Sequence, residues 1–110
     1  MRNAGRVRSD AIRQSAKGRD CTLRIPFACN HDAATVVLAH LPGSRGMGLK
    51  ASDIHGAYAC HACHDVIDGR RNPPKGVTGA MVLDAMLRGL AETQEQMVAE
   101  GLITVAGHEI

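Results

Sequence analysis

The sequence predicts an α+β fold in which a small core of two short strands and a helix follows a basic helical arm and precedes a longer C-terminal helix. Three observations predict it. Cys60-His61-Ala62-Cys63-His64 sets a close cysteine pair among histidines, with Cys21 and Cys29 upstream. The run Thr35-Val36-Val37-Leu38-Ala39 is β-branched and apolar, as strands are. Between residues 76 and 101, Val82, Leu83, Met86, Leu87, Leu90, Met97 and Val98 recur at helical spacing, with Glu92, Glu95 and Glu100 on other positions.

In chain order, residues 9–17 read as a short helix with Ser9 as its N-cap and Gly18 as its stop. Residues 21–25 alternate loosely and end at Pro26, a weaker strand signal than residues 35–39, which lead into His40. Residues 41–52 contain Pro42, Gly43, Gly46 and Gly48 with Arg45 and Lys50, the composition of a basic loop. A second short strand over 54–59 leads into Cys60, and a helix over 63–70 runs up to the break at Asn72-Pro73-Pro74. The chain thus divides, within one domain of residues 1–110, into a basic arm (1–20), a core (21–72) and a C-terminal helix (76–103).

A chain of 110 residues with no Trp, one Phe and one Tyr has few large side chains to bury, so a metal crosslink would supply part of the missing stability. A Cys-x-x-Cys pair with two further cysteines suits a tetrahedral zinc ion, which assigns Cys21, Cys29, Cys60 and Cys63 as its ligands. Buried free thiols and a redox Cys-x-x-Cys are the alternatives, and the second normally sits in a βαβ arrangement that this chain does not display. No apolar run follows the basic opening residues and none is long enough to span a membrane, so the expectation is a cytoplasmic protein with reduced thiols and no membrane partner. A disulfide-bonded secreted protein is disfavoured on the same ground.

The net charge of +2 is unevenly distributed. Residues 1–25 carry seven Arg or Lys against two Asp, a surplus of five positive charges. Such an arm suits a polyanion, with a solvated terminus as the plain alternative. His64 and Asp68 lie four apart on one helical face and can converge on one ion, although surface pairs at that spacing are common.

A strand ending in His40, a glycine-rich loop, Asp53, and Ala59-Cys60-His61-Ala62-Cys63-His64 with Asp68 together resemble the HNH (His-Me finger, ββα-metal) endonucleases. More narrowly, the chain resembles the YbcO-like nuclease family of phages and prophages, through Gly18-Arg19-Asp20-Cys21, Arg24-Ile25-Pro26, Cys29-Asn30, Leu38-Ala39-His40, Ala59-Cys60 and Ala62-Cys63-His64-Asp65 with Ile67-Asp68. The resemblance covers residues 16–70 well and the last helix loosely. It implies a zinc-stabilised ββα-metal core of treble-clef type, with His40 as general base and Asp53 as the polar residue that orients it. It further implies His64 and Asp68 as ligands of a catalytic divalent ion (Mg²⁺, Mn²⁺, Ni²⁺ or Zn²⁺). Many HNH enzymes carry an Asp or His before the base, where this chain has Ala39, so the alternatives are weaker metal binding, reliance on Asp68, or recruitment of His31 or Asp32.

The expected activity is metal-dependent hydrolysis of DNA phosphodiester bonds, on branched or nicked DNA met in phage or prophage recombination inside a bacterial host. Arg13, Lys17, Arg19, Arg45 and Lys50 would hold the DNA backbone. The alternative is a noncatalytic zinc module that binds nucleic acid or a protein, which needs neither His40 nor Asp68.

Overall fold

The computed structural model describes residues 6–42 and 51–108. The loop cations Arg45 and Lys50 lie outside the described residues. The fold is α+β, with α1 (Asp10–Gln14), β1 (Val37–His40), β2 (Gly56–Ala59), α2 (His61–Ile67) and α3 (Gly79–Ala99) in that order. The two strands pair antiparallel in the register Val37↔Ala59, Leu38↔Tyr58, Ala39↔Ala57 and His40↔Gly56. His40 therefore stands at the loop end of the hairpin, opposite Gly56, and Cys60 leaves β2 at the other end, about 13 Å along the strand for four residues at about 3.3 Å each.

All four residues of β2 are buried, because α3 covers the strand's second edge. That edge finds its hydrogen bonds in threonines. Thr93 Oγ1 accepts from the Tyr58 amide at 3.0 Å, and the Thr22 amide donates to the Tyr58 carbonyl at 2.7 Å. The Thr22 hydroxyl also bonds the Tyr58 carbonyl and the Thr93 hydroxyl, at 2.9 and 3.1 Å. A buried backbone group without a partner would be costly, so this cluster is what lets a two-stranded sheet be sealed under a helix.

Several elements depart from the sequence reading, each for a local reason. Residues 21–25 form no strand. Arg24 and Phe27 adopt φ of 43° and 62°, left-handed values within the segment that returns Cys29 towards Cys21, and His31, just past Cys29, adopts 54°. Thr35 belongs to a single 3₁₀ turn, Ala33–Thr35, capped by the Asp32 carboxylate, and the strand starts only at Val37. A second 3₁₀ turn, Asp53–His55, takes the first part of the expected second strand. Helix α2 begins at His61, ahead of the expected Cys63, because Cys60 Sγ accepts from the Cys63 amide and acts as the N-cap. It stops at Gly69, whose φ of 79° lets the Arg70 amide reach the Asp65 carbonyl at 2.9 Å.

Helix α3 lies within the expected 76–103 but runs only from Gly79 to Ala99, and of the expected apolar set only Val82 and Met97 are buried. Val82, Ala85, Gly89, Thr93 and Met97 point inward, whereas Leu83 and Leu87 are 58% and 68% exposed. Leu83, Met86, Leu87 and Leu90 instead border an apolar groove with Leu41, Pro42 and His55. The inward stripe is small because the helix lies very close to the Cys21–Cys29 segment. A Cβ at Gly89 would stand 2.6 Å from Leu23 Cδ2 and 3.3 Å from the Thr22 carbonyl oxygen. A helical Gly normally costs about 1 kcal/mol relative to Ala. Forcing atoms into a packed core costs about 1–3 kcal/mol, which here outweighs the propensity gain. Gly89→Val, with two further methyl groups in the clash, is expected to destabilise by about 2 kcal/mol or more and to lower Tm by about 10 °C. An unchanged melting temperature would show that α3 does not approach this closely.

Ion pairs clamp the same interface. Arg24 makes a bidentate pair with Glu92 at 2.9 and 2.6 Å, Arg19 pairs with Glu100, and Arg88 donates to the Thr22 and Leu23 carbonyls. Residues 6–20 of the arm are docked on the core. Ile12 and Ala16 are buried in the core, and the Ser15 hydroxyl lies 2.7 Å from the Tyr58 hydroxyl. Among the described residues no helix is long and apolar enough to cross a membrane.

Candidate metal centre and active site

The fold brings Cys21, Cys29, Cys60 and Cys63 together, with all four sulfurs within 4.8 Å of one another. Cys60 Sγ and Cys29 Sγ are 3.8 Å apart. A disulfide requires about 2.05 Å, whereas the edge of a tetrahedron with zinc–sulfur bonds of about 2.3 Å is about 3.8 Å. Three of the sulfurs are buried and Cys29 is partly so. Such a cluster cannot carry four negative charges on its own. A hydrogen bond from Cys63 lowers Cys21 to about 4, and the same contact, with burial, pushes Cys63 up. Burial also drives Cys29 up to about 11. A dication removes the conflict by drawing the thiols into the thiolate form, so the donor set fits a metal ion such as zinc. His31, one of the candidate substitute ligands, lies beside this cluster, with Nδ1 3.6 Å from Cys29 Sγ. Asp32, the other, caps its 3₁₀ turn through the Ala34 amide. Among the described residues, the cysteine quartet is the one group of three or more ligand-type side chains gathered at metal distance.

At the other end of the hairpin, His40 Nε2 lies 2.9 Å from Asp53 Oδ1. Asp53 is fully buried, and three further groups reach it. The Ser9 amide and Arg13 NH1 donate to Oδ2 at 2.7 and 2.6 Å, and Arg8 NH1 stands 3.6 Å from Oδ1. The backbone runs alongside, with the Asp53 amide on the Val7 carbonyl at 2.8 Å and the Val7 amide on Ser52 Oγ at 3.2 Å. Burial alone would raise the Asp53 carboxyl. The Ser9 amide, His40, Arg13 and Arg8 together outweigh it and hold the pKa below the ordinary value, so the group is ionised. An ionised carboxylate only accepts hydrogen bonds, so the neutral His40 ring carries its proton on Nε2 and leaves Nδ1 as the basic atom.

His64 and Asp68 are brought together as their spacing predicts, with Nε2 3.0 Å from Asp68 Oδ2. That separation is a direct imidazole–carboxylate hydrogen bond, which brings two ligand-type groups to one point on the helix face. Burial lowers the His64 pKa, which favours the neutral imidazole that ligation requires. Arg70 NH1 approaches the same Asp68 oxygen at 3.1 Å, and Arg70 Nε donates to Asp65 at 3.0 Å. A metal ion here would share Asp68 with, or displace, that guanidinium. Of the described cations expected to hold DNA, Lys17 is exposed, whereas Arg13 and Arg19 are engaged with carboxylates. The Arg13, Ser9 and Arg70 contacts were not foreseen from sequence, and the Ser9 N-cap signal is the one trace of them there.

Residues 10–102 match the family model described as "Putative nuclease YbcO". The chain belongs to the YbcO family. It is 42% identical over 94 residues to "Putative nuclease YbcO" of Escherichia coli (strain K12), a match that spans 84% of this chain and 95% of that protein. The protein of the same description from Enterobacteria phage 82 matches with the same identity and coverage. A solved structure titled "Structure of a putative bacteriophage protein from Escherichia coli str. K-12 substr. MG1655" superposes with a TM-score of 0.67 at 37% identity, over 83% of this chain and 100% of that one. Family membership agrees with a nuclease function for the YbcO-family chain and with nucleic acid as what it acts on.

Proposed function

We propose that this YbcO-family protein is a metal-dependent endonuclease of the HNH type that hydrolyses DNA phosphodiester bonds. The observation that carries this reading is the His40–Asp53 pair at the loop end of β1, an imidazole held through Nε2 by a buried, ionised carboxylate. The hairpin is followed by a helix that presents His64 beside Asp68 and packs on β2, the strand paired with β1. Nδ1 of His40 takes the proton from the attacking water, and Asp53 stabilises the imidazolium that forms. His64 and Asp68 are the residues that would hold a divalent ion, which when bound would supply Lewis-acid stabilisation of charge on the phosphate and on the departing 3′ oxygen. Cys21, Cys29, Cys60 and Cys63 would hold a zinc ion, and through it the start of α2 would be fixed relative to the hairpin that carries His40.

Lys17, Arg45 and Lys50 are the proposed backbone contacts. They would give affinity without base readout, which suits a substrate recognised by shape, such as branched or nicked DNA from phage recombination. His64→Ala tests the metal's part. Cleavage should fall at a fixed metal concentration and recover in part as the activating ion is raised, with zinc content unchanged. Unaltered cleavage at low metal would remove His64 from the site.

A further inference from the structure

We propose that the N-terminal arm positions the base: Arg13 and the Ser9 amide hold one oxygen of Asp53 so that the other stays on His40. This rests on the nuclease reading of His40 and gives Arg13 a different part from that of a phosphate contact. A carboxylate held at one oxygen turns readily about its last side-chain bond, because that torsion is broad. In this structure Oδ2 is gripped from two directions, at 2.6 Å by Arg13 and at 2.7 Å by the Ser9 amide. Oδ1 is left facing His40 Nε2 at 2.9 Å.

The grip is itself anchored. Arg13 also pairs with Asp10 on its own helix, the Ser9 hydroxyl caps that helix through the Ile12 amide at 3.1 Å, and Ile12 and Ala16 sit in the core. Support therefore runs from the core through α1 to Asp53 and from there to the imidazole. The charges agree with the geometry. A fully buried carboxylate needs compensation, and Arg13 together with the Ser9 amide supplies it on the side away from His40. Arg13 is thus a positioning residue, and losing it loosens the tautomer and orientation of His40 without removing a DNA contact.

The test uses the full chain with zinc bound, imidazole ¹⁵N spectra of His40, and cleavage kinetics for the parent, Arg13→Ala, Arg13→Gln and Arg13→Lys. The parent should show the Nε2–H tautomer alone. Arg13→Ala should show mixed tautomers and a fall in kcat of about 10-fold or more, a part of the roughly 10²–10⁴ that loss of a positioned general base costs, with KM for DNA within about twofold. Arg13→Lys should restore both readouts. Should Arg13→Ala fail to fold, Arg13→Gln, which keeps one donor but no charge, is expected to show the same loss in milder form. A pure Nε2–H tautomer in a folded Ala or Gln variant would overturn the proposal, and so would a variant that raises KM and leaves kcat alone. If the parent cuts no nucleic acid, the nuclease reading fails by itself, and the tautomer spectra still decide whether the arm positions His40.

Discussion

Replacing Cys60 by Ser should leave a chain that holds no zinc and does not melt cooperatively. Cys60 is a fully buried member of the sulfur quartet and also the N-cap of α2; Ser, itself a good N-cap, keeps the start of the helix, so the substitution isolates the loss of one metal ligand. Structural zinc in small domains contributes about 10–16 kcal/mol of apparent binding free energy, which is comparable with or larger than the roughly 5–15 kcal/mol that separates a folded domain from its unfolded chain. The rest of this core cannot offset that loss. It contains one buried aromatic, Tyr58, while the one Phe, Phe27, is 92% exposed. The left-handed turn through Arg24 and Phe27 is held by the closure of Cys21 and Cys29 onto the quartet, and it should open when zinc leaves. Elemental analysis and calorimetry of parent and variant check this, and a metal-free chain that melts like the parent would contradict it.

His40→Ala should behave in the opposite way. The side chain is partly exposed and lies at the far end of the hairpin from the cysteines, so zinc content, melting and DNA affinity should stay close to those of the parent. Cleavage should fall by about 10²–10⁴, the usual cost of removing a positioned general base. Added metal should not restore it, in contrast to His64→Ala. A zinc-replete His40→Ala that cuts as fast as the parent would remove His40 from the chemistry.

The two ends of the hairpin were legible in sequence to different degrees. Cys60 and Cys63 announce a metal by their spacing, and His40 is marked by the β-branched run before it. The path from Cys21 to Cys29 was not legible, because Arg24 and Phe27 are not residue types that signal left-handed backbone. The length of α3 was legible from its periodicity, but its buried face was not. Close approach to Leu23 and Thr22 requires glycine at 89, Thr93 is held inward by its bonds to Thr22 and Tyr58, and Leu83 and Leu87, which stand out in a hydropathy pattern, turn outward. Asp53 could be picked out as a candidate, yet its burial and its hold on Arg13 depend on a contact between residues 40 apart, which no local pattern encodes. Basic residues in the arm therefore read alike, although Arg13 turns inward to Asp53 and Lys17 faces solvent.

The most direct measurement of the central claim is cleavage by the zinc-loaded parent of supercoiled plasmid and of branched and nicked DNA, with Mg²⁺, Mn²⁺, Ni²⁺ and Zn²⁺ added in turn. The account predicts cuts that depend on the added ion and are lost in His40→Ala at equal zinc content. A folded, zinc-loaded parent that binds these DNAs and cuts none of them with any of the ions would contradict it, leaving a noncatalytic zinc module that binds nucleic acid.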